Sequence, residues 1–318
     1  MRDFGNHRPS AGEFGLILTE GWSGCLWSSC LQRQLRDAYD AQVPFPNSKT
    51  SAAWLVTPGS KPRLSSIDTQ STTDAPKGGE RAETEKATKA LREELRGLQG
   101  ALQGEAKRSI LLVLQAMDTG GKDGTAKSIY LGINPVGAEI SSFGVPNDDE
   151  IAHDFLWRIH TKTPPKGKIG IFNRSQYEDV LAVRVRNIAP ESVWRPRFEA
   201  INDFERNLTE SGTTVVKVML HISEEEQRVR LQARIDRPEK RWKFRMGDIE
   251  DRQLWGDYQK AYEETIAKTS TDHAPWFVVP ADKKWYRDFV VLTILVDVLK
   301  ELNPQYPAFD NLDGLKIP

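Results

Sequence analysis

The sequence predicts an α/β domain: a parallel sheet flanked by helices. Three observations predict it. Short continuous apolar runs recur between residues 109 and 280, segments with helical spacing alternate with them, and a glycine-rich turn follows the first run. The composition agrees. The 318 residues carry 44 Lys and Arg against 45 Asp and Glu, a net charge of −1, which argues against a general nucleic-acid binder. No run approaches the roughly 20 apolar residues that a membrane-spanning helix needs. Aromatic residues make up 9% of the chain, including nine Trp, enough to fill a core.

Residues 1–75 lack periodicity. Pro44, Pro46, Pro58 and Pro62 interrupt them, and residues 64–76 are rich in Ser, Thr and Asp. The expectation is a poorly ordered N-terminal arm with at most a short helix near 31–39. Cys25 and Cys30 both fall in it, too few for a disulfide scaffold or a cysteine zinc site. The expected compartment is reducing and cytoplasmic, and the first 30 residues do not read as a signal peptide. The folded domain is expected over 76–307, with a tail at 308–318.

Ala87, Leu91, Leu95, Leu98 and Leu102 recur at spacings of four and three, which predicts an amphipathic helix. Ser109–Gln115 is apolar throughout, as in a strand buried on both faces. Further strands are expected at 168–172, 213–220 and 276–279, with helices at about 148–160, 192–210, 223–235 and 250–268. Asp282 is expected to cap a last helix that runs until Pro304.

The first strand leads into Ala116-Met117-Asp118-Thr119-Gly120-Gly121-Lys122-Asp123-Gly124-Thr125. Glycines let backbone N–H groups turn toward an oxyanion, a helix N-terminus adds partial positive charge, and Lys122 adds a full one. The strict phosphate-loop pattern is not met: Ala116 replaces its first Gly, and Asp123 its Ser or Thr. The other reading is an ordinary strand-to-helix turn with a surface Lys. A carboxylate such as Asp118 inside an anion site suits Mg2+ or a proton in transit, although a helix-capping Asp looks the same in sequence.

The second candidate segment is Asn173-Arg174-Ser175-Gln176-Tyr177-Glu178-Asp179, after the strand at 168–172. Ligands of open parallel sheets bind at the carboxyl ends of strands. Arg174 can grip phosphate, and Glu178 and Asp179 can hold metal, an acceptor group or Arg174 itself. The third is Arg234–Arg245, with six basic and two acidic residues. It reads as a cationic lid over phosphates, a nucleic-acid contact through Trp242 and Phe244, or a solvated helix end. His153 and His160, seven apart, share a face if one helix carries both, and helix packing explains them better than metal. Trp194, Trp242, Trp255, Trp276 and Trp285 read as core, with one of them able to stack on a nucleobase.

These segments together make the chain resemble the polyphosphate kinase 2 family of polyphosphate:nucleotide phosphotransferases. The resemblance covers about residues 76–307 and rests on LLVLQAMDTGGKDGT, INP, AHDFLWRIH, GIFNRSQYEDV, DRPEKRWKF and STDHAPWFVVPADKKWYR in that order. It implies a three-layer P-loop kinase-like fold with a helical lid at about 234–252. It implies transfer of phosphoryl groups between inorganic polyphosphate and AMP, ADP or ATP, with Mg2+ (Mn2+ as a substitute) as cofactor. Asp118, Lys122 and Arg174 are then the catalytic residues, and Asp118 and Asp179 the metal ligands. Gly121, Gly124, Thr125, Lys127, Arg237, Lys240, Arg241, Lys243 and Arg245 bind phosphate or polyphosphate. Asn173 and Glu178 bind the nucleotide, and Tyr177-Glu178-Asp179-Val180 is similar to the class III subgroup that accepts both AMP and ADP. Guanine nucleotides are left open as acceptors. No nucleic acid and no membrane are expected as partners, and a homo-oligomer, dimer or tetramer, is. An ATP-dependent nucleoside monophosphate kinase is the competing enzyme reading, and a non-catalytic polyanion binder the competing non-enzyme reading.

Overall fold

A computed structural model describes residues 48–309 and 316–317. The expected helix near 31–39 and both cysteines lie outside the described residues. A long helix, α1 (Arg81–Glu105), precedes the first strand, β1 (Ser109–Ala116). A glycine loop then leads into α2 (Lys122–Tyr130), followed by β2 (Ala138–Ser142) and β3 (Ile169–Asn173). Next come α3 (Arg197–Glu210), β4 (Thr213–His221), α4 (Glu224–Asp236), α5 (Gly247–Gln253) and α6 (Trp255–Thr269). The last elements are β5 (Trp276–Pro280) and α7 (Lys284–Leu302). The strand order is β2-β3-β1-β4-β5, and every pair is parallel.

β1 is buried along its whole length because helices cover both faces. Its side chains alternate accordingly. Ile110, Leu112 and Leu114 meet Leu95 and Leu102 of α1 and Val291 and Leu295 of α7 in one core layer. Leu111 and Val113 join Phe198 and Ile201 of α3 and Trp276 of β5 in the other. Parallel strands in register bring their carboxyl ends to one edge of the sheet, where Leu114 stands opposite Asn173 and Ala116 opposite Leu220. No helix among the described residues is long and apolar enough to cross a membrane.

The structure corrects several expectations. The edge strand β2 is absent from the sequence reading, because its five residues are half exposed and carry no continuous apolar run. The helix expected over 148–160 is two short turns, Asp148–Ile151 and Trp157–His160. Asp154 Oδ1 accepts from Leu156 N at 2.9 Å, a side-chain turn that restarts the chain. His153 and His160 therefore share no helix; one stacks on Trp157 and the other meets the edge of Phe204. Asp282 does not cap α7. Its carboxylate instead accepts from Ser223 N at 2.9 Å and Thr69 Oγ1 at 2.7 Å.

The folded unit also begins earlier than residue 76. Val56 N donates to Trp276 O at 2.8 Å, and Val278 N to Trp54 O at 2.9 Å, so this segment covers the open edge of β5. Leu64 is fully buried, its N–H donating to Glu263 Oε1 at 2.8 Å. Thr73 O accepts from Tyr286 Oη at 2.6 Å. Prolines and small polar residues hid this packing, because an irregular segment has no period to read. Leu64→Ala is expected to lower unfolding free energy by about 2–5 kcal/mol in denaturant titration. Removal of residues 1–75 should then cost folded protein; an unchanged midpoint in either variant would contradict this packing.

Candidate active site

The site lies at the carboxyl ends of β1 and β3. β1 stops at Ala116, and residues 117–121 turn the chain into α2. Gly121, the N-cap of α2, has φ 106°, a conformation that a Cβ disfavours. Two non-glycine residues of the site are also left-handed, Thr119 at φ 63° and Arg174 at φ 64°. Such backbone is uncommon and persists only where surroundings enforce it. Arg174 N donates to Leu114 O at 3.1 Å, which fixes the turn after β3 against β1.

The loop and the turn then meet through their side chains. Arg174 Nη2 donates to Asp118 Oδ1 at 3.0 Å. Burial pushes the Asp118 carboxyl up, but Lys122 and Arg174 outweigh burial and hold it below its ordinary value. Asp251 of α5 stands next to Asp118 and is gripped by Arg186 at 2.7 and 2.6 Å. Lys122 is buried and donates through Nζ to Ala116 O at 2.9 Å. Burial lowers its ammonium to about 8, and Arg174 adds to this, while Asp118, Glu178 and Asp123 oppose it. The nearness of Glu178 is the main cause that raises Arg174.

Glu178 sits on the short helical turn Gln176–Asp179. With the Gln115 amide oriented by its neighbours, its nitrogen donates to Glu178 Oε1 at 3.1 Å. Asn173 Nδ2 donates to Asp123 Oδ1 at 2.7 Å, and Lys243 Nζ to Asp123 Oδ2 at 2.9 Å. Asp123 therefore ties α2 to β3 and to the basic segment, and these contacts hold its carboxyl below the ordinary range.

The structure thus brings Asp118, Lys122, Asp123, Asn173, Arg174, Glu178 and Lys243 together. It takes Asp179 elsewhere. That carboxylate accepts from Arg197 Nη1 at 2.8 Å, and burial raises it against the pull of Arg197 and Arg158. Among the described residues, no group of three His, Cys, Asp or Glu is arranged to hold a metal. Thr125 is buried on α2, and exposed Lys127 lines a groove with Asp123 and Asn173. Arg237, Arg241 and Arg245 are exposed around the helical turn Pro238–Lys243, and Lys240 is half-buried. Trp242 on that turn is 76% exposed, whereas Trp194 and Trp276 are core.

Sequence reasoning missed the residues that hold these groups in place. Arg230 of α4 donates to Thr119 O at 3.0 Å and Ala281 O at 2.7 Å, clamping the glycine loop. Lys217 and Glu205 form a fully buried ion pair at 2.6 Å. Glu205 also accepts from Tyr177 Oη at 2.7 Å and Gln176 Nε2 at 3.0 Å, anchoring the turn that carries Glu178. The signal was present: a Lys inside the apolar run Thr213–Leu220 must find a buried partner.

Residues 79–307 match the family model described as polyphosphate kinase 2. The chain belongs to the polyphosphate kinase 2 family. An AMP/ADP-polyphosphate phosphotransferase of Meiothermus ruber is 54% identical over 235 residues, covering 74% of this chain and 88% of that protein. An ADP-polyphosphate phosphotransferase of Rhodopseudomonas palustris is 42% identical over 227 residues, 68% of this chain and 78% of the relative. The crystal structure of polyphosphate kinase 2 from Arthrobacter aurescens superposes with a TM-score of 0.78 at 44% identity, over 85% of this chain and 95% of that one. The sequence match of this polyphosphate kinase 2 chain spans the glycine loop, the Arg174 turn and the basic segment alike.

Proposed function

We propose that this enzyme transfers phosphoryl groups from inorganic polyphosphate to AMP and to ADP. One observation carries the reading. A buried ammonium (Lys122), a carboxylate held ionised (Asp118), a guanidinium (Arg174) and a second carboxylate (Glu178) converge beside a glycine loop at a helix N-terminus. Phosphoryl transfer asks for this: positioning and charge stabilisation, with little covalent work by the protein.

The residues present fit Mg2+, with Mn2+ as a substitute. A Mg2+ site of this kind uses one or two carboxylates and fills its other positions with water and substrate phosphates. Asp118 is held ionised in the loop with its side chain 18% exposed, and the buried Thr119 Oγ1 and Thr125 Oγ1 have no partner among the described residues. Asp118 would hold the ion, whose charge would offset that of the phosphates. Asp179 is occupied by Arg197 and is less suited to that role.

In the reaction, an oxygen of the acceptor's terminal phosphate attacks the terminal phosphorus of the chain in line. The new P–O bond forms as the bridging P–O bond breaks, and the electron pair stays on the shortened chain. The acceptor phosphate is already anionic at pH 7, so no strong base is needed. Lys122 and Arg174 stabilise the transferring group, Glu178 helps to place the acceptor, and Lys243 with its basic neighbours closes over the donor.

Asp123 counts against the ATP-dependent kinase reading. It stands where a Ser or Thr hydroxyl belongs, and Asn173 and Lys243 occupy its carboxylate. Transfer from polyphosphate in a mixture without ATP separates the two readings. Glu178→Ala should shift the ratio of AMP to ADP turnover by about tenfold, the worth of one charge-assisted contact. Parallel assays with each acceptor check this, and an unchanged ratio removes Glu178 from acceptor placement.

A further inference from the structure

α7 begins where β5 ends, next to the glycine loop, and it brings a cation that the site described above does not use. Arg287, one turn into α7, is 3% exposed. Its Nε and Nη2 donate to Asp288 Oδ1 at 2.9 and 2.6 Å. Its Nη1 has no acceptor among the described residues. That nitrogen lies against the loop: a methyl group added to Gly121 would collide with it, and one added to Gly124 would meet Nη2 at 3.2 Å. Glycine at both positions leaves the guanidinium flush with the backbone N–H groups that open α2.

Arg230 nearby offers a contrast. Its guanidinium is spent on Glu226, Thr119 O, Gly120 O, Ala281 O and Asp282 O, a structural clamp. Arg287 Nη1 takes part in no such clamp: it lies against Gly121 without an acceptor among the described residues, so it is left to a ligand of the loop. Outward from Arg287, the exposed Lys284 begins α7. Burial lowers its ammonium, and Arg230, Arg287 and Lys240 also press on it, which places these cations side by side.

We propose that Arg287 is a donor-binding residue: its Nη1 grips a phosphate of the polyphosphate chain next to the transferred one, and the tail leaves over Lys284 and Lys240. This rests on the function proposed above. A linear polyanion with repeating charge suits a row of cations, and each phosphate neutralised should appear in the salt dependence.

The test compares tripolyphosphate with long-chain polyphosphate as donor, at several salt concentrations, in wild type, Arg287→Gln, Arg287→Lys and Lys284→Ala. Arg287→Gln should raise KM for both donors about tenfold or more, leave KM for AMP within about twofold, and reduce the salt slope of log kcat/KM by about one. Arg287→Lys should recover part of the loss. Lys284→Ala should raise KM for the long chain and not for tripolyphosphate. Unchanged donor KM and salt slope in folded Arg287→Gln would overturn the proposal. So would an equal rise in donor and acceptor KM with a lowered melting temperature, which marks a structural prop. If Arg287→Gln does not fold, an unchanged long-chain KM in Lys284→Ala overturns the path. Wild type that transfers nothing from polyphosphate would refute the function itself, whereas active wild type with unaffected variants refutes this inference alone.

Discussion

Asp118→Asn lowers turnover by about 100-fold or more while the protein stays folded, the scale of losing one preorganised electrostatic contact. The carboxylate is held ionised against burial by Lys122 and Arg174. A neutral amide keeps the shape and removes the charge that would anchor Mg2+. Arg174 would lose its partner at 3.0 Å but keep Glu178 nearby, so the turn should hold. Near-normal turnover in a folded variant, measured at saturating Mg2+, would refute the metal role. A loss that extra Mg2+ partly restores would support it.

Lys122→Ala should cost turnover by a similar factor, about 100-fold, because it removes the charge closest to the loop's anion cradle. The wild-type pH profile should carry a second mark of this residue. Its ammonium titrates near 8 in the free enzyme. Loss of the proton removes a phosphate-binding charge, so kcat/KM for polyphosphate should fall as pH rises through about 8. Lys122→Arg should abolish that limb, since guanidinium stays protonated. The linkage for stability runs the other way. Between about 8 and the ordinary 10.5 the unfolded chain binds more protons than the folded one, so this group makes the fold more stable as pH rises across that window. A bound polyanion should restore the proton, and complex formation near pH 8 should take protons up from the buffer. An alkaline limb that persists in Lys122→Arg would assign it to another group.

The sheet and most of the site were legible because their physics is local. Short continuous apolar runs bounded by turn residues read as strands covered on both faces, and the run 109–115 leads straight into Gly120-Gly121-Lys122. That Asp118 and Arg174 stand at one edge of the sheet followed from the rule that parallel strands deliver their ends together; their direct pairing did not, since the sequence offered Glu178 and Asp179 as the partners of Arg174. What escaped depends on contacts distant in sequence. Leu64 is buried by a segment without periodicity, and β2 is an edge strand too short to show alternation. Asp179 and Glu178 are neighbours in sequence, yet the tight turn sends one to Arg197 and the other toward Arg174. Arg230 and Arg287 look like ordinary helix arginines until the fold lays them against the glycine loop. Lys217 alone carried a readable signal, a charge inside an apolar strand, and the sequence reading passed over it.

The most direct measurement mixes purified protein, Mg2+, AMP and polyphosphate with no ATP, then resolves nucleotides and chain length by chromatography. The account predicts ADP followed by ATP, with one phosphate lost from the chain for each phosphoanhydride formed. No nucleotide product, from folded protein that turns over once ATP is supplied, would contradict it and make this chain an ordinary nucleotide kinase.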